Sequence, residues 1–549
     1  MGRVVTPASN KMAENADWDF GLCLTMFFRM SRFASSRRVL QHPSFSRPTL
    51  PRFSTRPIVS PIAATRSMSS IRNNASSIAN KRLSTINSWM SRPSVQMSTA
   101  ASTAAGGSGA EAAAEVLTVK NGGVREVVLN RPKKLNALNL NMIELMLPEI
   151  QAWEKSDLAK IILLKSCGGK GFCAGGDVKT VVDLAAEGKH GDALKFFEVE
   201  YQLDHLIGTL KTPYVAVMDG ITMGGGVGLS VHAPFRIATE NTLFAMPETG
   251  IGFLPEVGGS FFLPRLDGQL GIYLGLTGKR LKGTDAFYAG IATHYVPSSR
   301  LPALESRLAE IDDPTYGKIN TAIEEFSAEM DQEAPFSLAG STREAIDRCF
   351  KFDTVEEIVD ALQKEDSEWA KETLKLMGNV SPTSLKVTLQ QLRTGANLTL
   401  GECFKMEYRL VQKFLEGHDF TEGVNATLDK PRRKAEWKPA EVADVKLSEI
   451  KKDYFDASDK KPLQLISEND YDIYPHSKYM LPSEQDIQNV VTGEAPGVGN
   501  YALSRDEVVE YFINDRKGKQ GVKAKVLDVL ARKTQAIKND ESNSLKWIY

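Results

Sequence analysis

The chain has almost no charge imbalance. Its 67 basic and 68 acidic residues leave a net charge of −1 over 549 residues. That excludes a uniformly basic surface, so any contact with nucleic acid has to be local. Cysteine is scarce: Cys23, Cys167, Cys173, Cys349 and Cys403 are scattered, and none forms a CxxC pair. Neither a zinc site nor a disulfide framework is suggested, and a reducing compartment is the default reading. Long apolar runs are missing too. The best, FGLCLTMFF at 20–28, is half of the roughly 18 residues a membrane span needs. Signatures that would settle a function at once are also absent. Gly224-Gly225-Gly226-Val227-Gly228 continues with Leu229, Ser230 and Val231, which is no dinucleotide fingerprint. Gly228-Leu229-Ser230-Val231-His232 has His232 where a serine-hydrolase elbow needs its last glycine. His205, His232 and His294 are dispersed, so they read as structural residues.

The N-terminal stretch lacks acid. From Phe20 to Ala110 there is no Asp or Glu, against twelve Arg and Lys and abundant Ser. Acid-poor, Arg- and Ser-rich leaders are organelle transit peptides. Residues 1–29 fit that pattern poorly because of Glu14, Asp17 and Asp19, and Met30 makes a more typical start. The reading is a leader over 1–98 and a flexible Ala/Gly/Ser linker over 99–115, with folded sequence starting near Val116.

What is present is ordinary globular composition, 42% hydrophobic and 25% charged, in a pattern that changes along the chain. Residues 117–130 alternate around Asn121-Gly122, which predicts a hairpin. Met142, Leu145, Ile150 and Trp153 have helical spacing, with Pro148 expected to bend or break the helix. Residues 159–166 read as a buried strand, and Asp177 opens a helix ended by Gly188. Strand–strand–helix order then repeats, which predicts an α/β layered fold. Helical periodicity takes over from about Leu301 to Asp429, and beyond Trp437 the chain is polar and irregular. A last helix is expected over roughly 522–538, within a basic tail. Arg516 to Lys546 carries nine basic and three acidic residues.

Two glycine loops and two acids carry the chemistry. Gly176, in FCAGGD, leads into a helix, and Gly225 starts the helix GGVGLSVH. Helix N-termini present free N–H groups and a positive partial charge, and glycine lets them approach a ligand closely. A pair of such donors aimed at one carbonyl oxygen stabilises the negative charge of acyl transfer, each worth on the order of 3 kcal/mol. Downstream, Glu248 and Glu256 each follow a proline in strongly apolar sequence, FAMPETGIGFLP. Burial there raises a carboxyl pKa and tunes its reactivity. One carboxylate can attack an acyl carbon or activate water; the other can bind a substrate hydroxyl or orient that water. Cys173 has no obvious base nearby and reads as a buried thiol.

These motifs resemble the crotonase (enoyl-CoA hydratase/isomerase) superfamily and, within it, the 3-hydroxyisobutyryl-CoA hydrolases. The resemblance rests on LNRPKKLNALN at 129–139, GGKGFCAGGD at 168–177, DGITMGGGVGLS at 219–230, FAMPETGIGFLPEVGG at 244–259 and LTGKRLKGTDAFYAGIATHYV at 276–296. SPTSLKVTLQQL at 381–392, MEYRL at 406–410, GHDFTEGV at 417–424 and WKP at 437–439 extend it, so that it covers about 116–455. It implies a spiral of ββα repeats over 116–310, a helical region over 311–440 closing the site, and an added extension over 441–549. It implies a coenzyme A thioester as substrate, with no metal or redox cofactor. By motif position, Gly176 and Gly225 match the oxyanion-binding pair and Glu248 the catalytic carboxylate. Glu256 stands where these hydrolases usually carry Asp. Glu200, Ala174, Gly225, Glu248 and Glu256 match positions that touch substrate. Enoyl-CoA hydratases carry a second catalytic Glu two residues after the triple glycine, where this chain has Gly228, so the resemblance points to thioester hydrolysis. It also implies the mitochondrial matrix, in agreement with the leader, and leaves room for an oligomer. Some fungal relatives that resemble this chain are components of the mitochondrial small ribosomal subunit. For that alternative, the basic tail is the element expected to meet ribosomal RNA.

Overall fold

A computed structural model describes residues 114–456, 461–499, 502–537 and 543–548. The leader and nearly all of the linker lie outside the described residues. β1 (Val116–Asn121) and β2 (Val124–Leu129) pair antiparallel as the expected hairpin. Gly122 in its turn has φ +56, a conformation glycine adopts freely. All six residues of β2 are buried, whereas β1 is largely exposed and forms a sheet edge.

The chain then repeats one unit. β3 (Ile161–Ser166) is followed by β4 (Gly171–Cys173), β5 (Tyr214–Met218) by β6 (Ile221–Met223), and β7 (Phe235–Ala238) by β8 (Leu243–Ala245). β9 (Leu281–Lys282) and β10 (His294–Tyr295) complete the set. The first strand of each unit enters a six-stranded sheet of order β1-β2-β3-β5-β7-β10, parallel from β2 onward. The second enters a four-stranded sheet, β4-β6-β8-β9, in which β4, β6 and β8 are parallel. Parallel strands buried on both faces require continuous apolar runs. Ile161–Leu164 and Tyr214–Met218 supply them, buried throughout.

The helix predicted with a break at Pro148 is continuous, Leu140–Glu154, with Asn139 capping Met142 N–H. Pro148 is on the exposed side, so the missing hydrogen bond leaves a carbonyl facing water and the core face unbroken. Helices Pro382–Gly395, Leu400–Glu416 and His418–Leu428 pack over the spiral. Gly423 lies so close to Ile251 that a Cβ there would sit 2.8 Å from the Ile251 Cα. Phe253 stacks on Phe420 at 4.2 Å and meets Phe197 and Phe414, sealing this interface.

The extension is folded against the core. Helices Glu484–Thr492, Arg505–Asp515 and Val522–Lys533 join a hairpin of β11 (Thr534–Ala536) and β12 (Leu545–Trp547). The last helix therefore ends at Lys533, earlier than the expected 538, because Thr534 turns extended and pairs with Trp547. Phe512, Val526, Leu530 and Trp547 share one apolar cluster with Phe287, Tyr288 and Met330 of the preceding domain. The charge of the tail is largely spent inside this contact. Lys519 pairs with Glu324 at 2.5 Å, Lys525 with Asp267 at 2.5 Å, and Arg532 with Glu484 at 2.6 Å. Arg516 pairs with Asp486 at 3.4 Å and Lys533 with Asp347 at 3.6 Å. The basic helix that the ribosomal alternative would set on RNA has Lys525, Arg532 and Lys533 paired with acids of its own chain, while Lys523 is exposed. Among the described residues no helix is long and apolar enough to cross a membrane.

Candidate active site

The repeat explains why distant residues meet. Each unit leaves its second strand through a loop, and parallel pairing stacks those three loops. β4 pairs with β6 through Cys173 and Thr222, so the loop Ala174–Asp177 lies beside Gly224 and Gly225. β6 pairs with β8 through Met223 and Ala245, so the next loop, carrying Glu248, lies on the other side. The spacings agree. A Cβ on Gly225 would lie 3.4 Å from the Gly176 nitrogen. One on Gly224 would lie 3.2 Å from Glu248 Oε1 and 3.4 Å from the Gly175 Cα.

Both glycine amides are free to donate. Gly176 faces Leu138 in a parallel bridge, but that bridge uses the Gly175 carbonyl and the Asp177 N–H, at 2.8 and 2.7 Å. Gly225 is the first residue of its helix, ahead of any intrahelical acceptor. Neither N–H has a backbone acceptor among the described residues. Ala174 is held by its N–H on Leu135 O at 3.1 Å, at the rim of the same loop.

Four carboxyls surround this point and a fifth stands behind. Glu200 and Asp204 lie one turn apart on the helix His190–Thr209. Glu200 Oε1 is 2.5 Å from the position of a Cβ on Gly225. Glu248 opens a short 3-10 turn, Glu248–Ile251, and Glu256 follows in an elbow. Glu407, on the helix Leu400–Glu416, accepts hydrogen bonds from Gly258 and Ser260 N–H, both 2.8 Å, and from the Ser260 hydroxyl. All five are buried. Both oxygens of Glu200 and Asp204, and Oε2 of Glu248, have no hydrogen-bond partner among the described residues.

Among the described residues no cation stands beside them to balance their charge, and each is shifted upward from the usual carboxyl range. Burial, and then the neighbouring Glu256, raise Glu248 well above the usual carboxyl range. Burial raises Glu200 and Asp204 in the same way, with Glu256 adding to both. Glu256 is pushed up to about 8, by burial first and by Glu407 second. Glu407 rises to about 7 from burial, against the pull of its Ser260 and Gly258 donors. Carboxyls whose environments differ can divide acid and base roles between them.

The Glu256 elbow is clamped. Gln391 donates to Pro255 O at 2.6 Å, His232 Nε2 is 2.8 Å from Val257 O, and Glu407 accepts from the Gly258 and Ser260 N–H groups. Val257 itself has φ +54, a left-handed conformation costly for a β-branched residue. Burial lowers His232 to about 4, so it works as a neutral ring. His205 and His294 are buried and lowered to about 4 as well. Burial pushes the Cys173 thiol up to about 12, and a thiol so protonated is no nucleophile. Among the described residues no group of three or more His, Cys, Asp or Glu is arranged to hold a metal ion.

Of the six residues singled out from sequence, Gly176, Gly225, Glu200 and Glu248 meet in one small region, Glu256 is near enough to raise both glutamates, and Ala174 begins the Gly176 loop. Asp204 and Glu407 were missed. Asp204 had a signal, one turn after Glu200 on an otherwise apolar helix face. Glu407 had only its place in MEYRL.

The family model for enoyl-CoA hydratase/isomerase matches residues 124–455. The mitochondrial 3-hydroxyisobutyryl-CoA hydrolase of Homo sapiens is 49% identical over 337 residues, 61% of this chain and 87% of that protein. A small ribosomal subunit protein of Neurospora crassa is 47% identical over 445 residues, 77% of this chain and 86% of that protein. Among solved structures, a carnitinyl-CoA dehydratase of Mycobacterium thermoresistibile superposes with a TM-score of 0.58 at 36% identity, covering 64% of this chain and 99% of that one.

Proposed function

The chain belongs to the enoyl-CoA hydratase/isomerase family, and on that premise we propose that it is a mitochondrial acyl-CoA thioesterase, hydrolysing 3-hydroxyisobutyryl-CoA to 3-hydroxyisobutyrate and CoA. One observation carries the reading: the free amides of Gly176 and Gly225 come together beside the Glu248 carboxyl. The thioester oxygen accepts from both N–H groups as negative charge develops on it. Glu248, next to that carbonyl, acts on the acyl carbon, directly or through a water it deprotonates. Water supplies hydroxyl to the acyl carbon, and the thiolate leaves as CoA thiol with the remaining proton. Glu256, held by its clamped elbow, passes or stores that proton. Coenzyme A enters as part of the substrate, and no step calls for a metal or redox cofactor. The identity to named hydrolases and the Gly228 in place of a second hydratase acid support hydrolysis over hydration.

The test is release of free thiol from a panel of acyl-CoAs by wild type and Glu248→Gln. Glutamine keeps the shape of a neutral acid, so folding and CoA binding are expected to persist while turnover falls at least a hundredfold. Turnover by Glu248→Gln at the wild-type level removes the carboxylate assignment.

A second reading has its own observation. The match to the Neurospora ribosomal protein runs 445 residues, against 337 for the human hydrolase, so it includes sequence outside the hydrolase span. We infer a structural place on the mitochondrial small ribosomal subunit, compatible with a working site. Several of the tail's charges are paired internally, which leaves Lys517, Lys523 and Lys546 exposed for such a contact. Gradient sedimentation of mitochondrial extracts decides: a protein that never travels with the small subunit at low salt has no such role.

A further inference from the structure

Asp204, like Glu200 one turn before it, is a buried acid that the mechanism above leaves unused. Its side chain is fully buried on the helix His190–Thr209, and neither carboxyl oxygen has a hydrogen-bond partner among the described residues. The titratable groups that interact with it are Glu200 on its own helix, Glu256 on the elbow, Glu407 on the helix Leu400–Glu416, Cys173 on β4 and Tyr214 on β5. None is a cation. Even a neutral acid retains an O–H to donate and a carbonyl to accept, and leaving both unmade in a dry site is costly. A residue kept in that state is expected to have a partner that arrives with the substrate.

Its position says which part of the substrate. The carboxyl enters the slot above Gly228: a Cβ there would lie 2.8 Å from the Asp204 Cγ and 2.8 Å from the Val257 Cβ. Gly228 is three residues after Gly225, on the same face of the short helix Gly225–Val231. Residues so spaced stand about 5–6 Å apart. An acyl chain that runs from Gly225 along this helix face would bring its carbons past Gly228 to Asp204. The slot that a side chain at 228 would fill is occupied by a carboxyl from another helix.

We propose that Asp204 reads the hydroxyl of the acyl chain and so sets the preference for 3-hydroxyacyl over unsubstituted acyl thioesters. This rests on the thioesterase reading above. A hydroxyl both donates and accepts, and it completes the two hydrogen bonds the acid lacks. A site built to hydrogen-bond a substrate hydroxyl rejects the analogue without one, because its own buried polar group is then left unpaired. Asp204 acts on specificity; bond making and breaking stay with Glu248.

The experiment compares 3-hydroxyisobutyryl-CoA with isobutyryl-CoA in wild type, Asp204→Leu, Asp204→Ala and Asp204→Asn. Thiol release gives the ratio of the two kcat/KM values. Calorimetry with the non-hydrolysable ketone analogues of both esters gives the ratio of Kd. Wild type is expected to favour the hydroxylated ligand at least tenfold in both ratios. The Leu and Ala variants are expected to lose at least nine-tenths of that preference, and Asn, which donates and accepts at the same place, to restore most of it. Unfolding midpoints of the Leu variant are expected to hold or rise, since an unpartnered buried acid is removed. The proposal is overturned if wild type shows no preference, or if the Leu and Ala variants keep the wild-type ratio while both ligands weaken together. Absence of thiol release from wild type would remove the thioesterase reading alone, because the Kd ratio still judges Asp204.

Discussion

Gly225→Ala puts one methyl group where the two amides meet. The added Cβ would stand 3.4 Å from the Gly176 nitrogen, 3.4 Å from Leu138 Cδ2 and 2.5 Å from Glu200 Oε1. The first two are ordinary contacts. The third requires Glu200 to swing its carboxyl aside, and that carboxyl has no hydrogen bond to lose. Gly225 has no positive φ, so alanine suits its backbone and gains up to about 1 kcal/mol of helix propensity. Folding stability is therefore expected to stay within about 1 kcal/mol of wild type. Catalysis is not so protected. The methyl occupies the space through which a carbonyl oxygen must reach both N–H groups. Loss of one donor costs about 3 kcal/mol, and a factor of ten per 1.36 kcal/mol makes that on the order of a hundredfold in kcat. The assay is thiol release from 3-hydroxyisobutyryl-CoA, with a urea unfolding curve for the same preparations. Gly191→Ala is the control: a Cβ there meets nothing within 4 Å. A Gly225→Ala enzyme within threefold of wild type, with an unchanged unfolding curve, would refute the claim that these amides share one oxygen.

Glu407→Gln turns one of the two oxygens that together serve three donors into an NH2 group facing a donor, so it is expected to cost about 1–3 kcal/mol in urea unfolding and to lower kcat by loosening the elbow; an unchanged midpoint would show that the loop holds itself. Glu256→Asp is expected to retain or raise kcat/KM for the 3-hydroxy thioester, and a hundredfold loss would mean the site is built around the longer side chain. The pH dependence of stability has two arms. Glu256 at about 8 and Glu407 at about 7 are raised, so the folded chain holds protons that the unfolded chain releases above about pH 4.3, and each group lowers stability by about 1.4 kcal/mol per pH unit until its folded value is passed. His205, His232, His294 and His476, lowered to about 4, act oppositely and cost stability as pH falls below about 6.5. Thermal unfolding is expected to peak near pH 6–7 and decline towards pH 9, and a melting temperature that climbs steadily to pH 9 would show the acids already ionised in the fold.

Much of this was legible from local sequence, for a physical reason. A glycine loop that opens a helix and an acid after a proline are short-range patterns, and Gly176, Gly225 and Glu248 are where those patterns put them. The strand runs and the hairpin were legible because burial on both faces demands continuous apolar residues. Pro148 misled, since a proline breaks a helix only where its lost hydrogen bond and ring cannot be turned to solvent. The tail misled more deeply. Many of its basic residues look like a free surface in a charge count, but Asp267, Glu324, Asp347 and Glu484, which pair with Lys525, Lys519, Lys533 and Arg532, come from positions that no short window of sequence places beside them.

The gathering of the site is a property of strand pairing, and this is where reading by motif stops. Each loop alone is an ordinary turn. The parallel registers of β4 with β6, and of β6 with β8, align the exits of three successive repeats, so that two amides and one carboxyl are delivered to a common point without long-range hydrogen bonds between them. The same stacking brings the His190–Thr209 helix, from the first repeat, across the Gly225–Val231 helix of the second. That crossing puts Glu200 over Gly225 and Asp204 over Gly228, and it leaves a side chain at 228 wedged between Asp204 and Val257. A glutamate at 228 has no room in this fold unless Asp204 withdraws. The space at 228 is therefore shared between two elements, a glycine on one helix and an acid on another. Changing the glycine alone is expected to disturb packing before it restores any second catalytic acid.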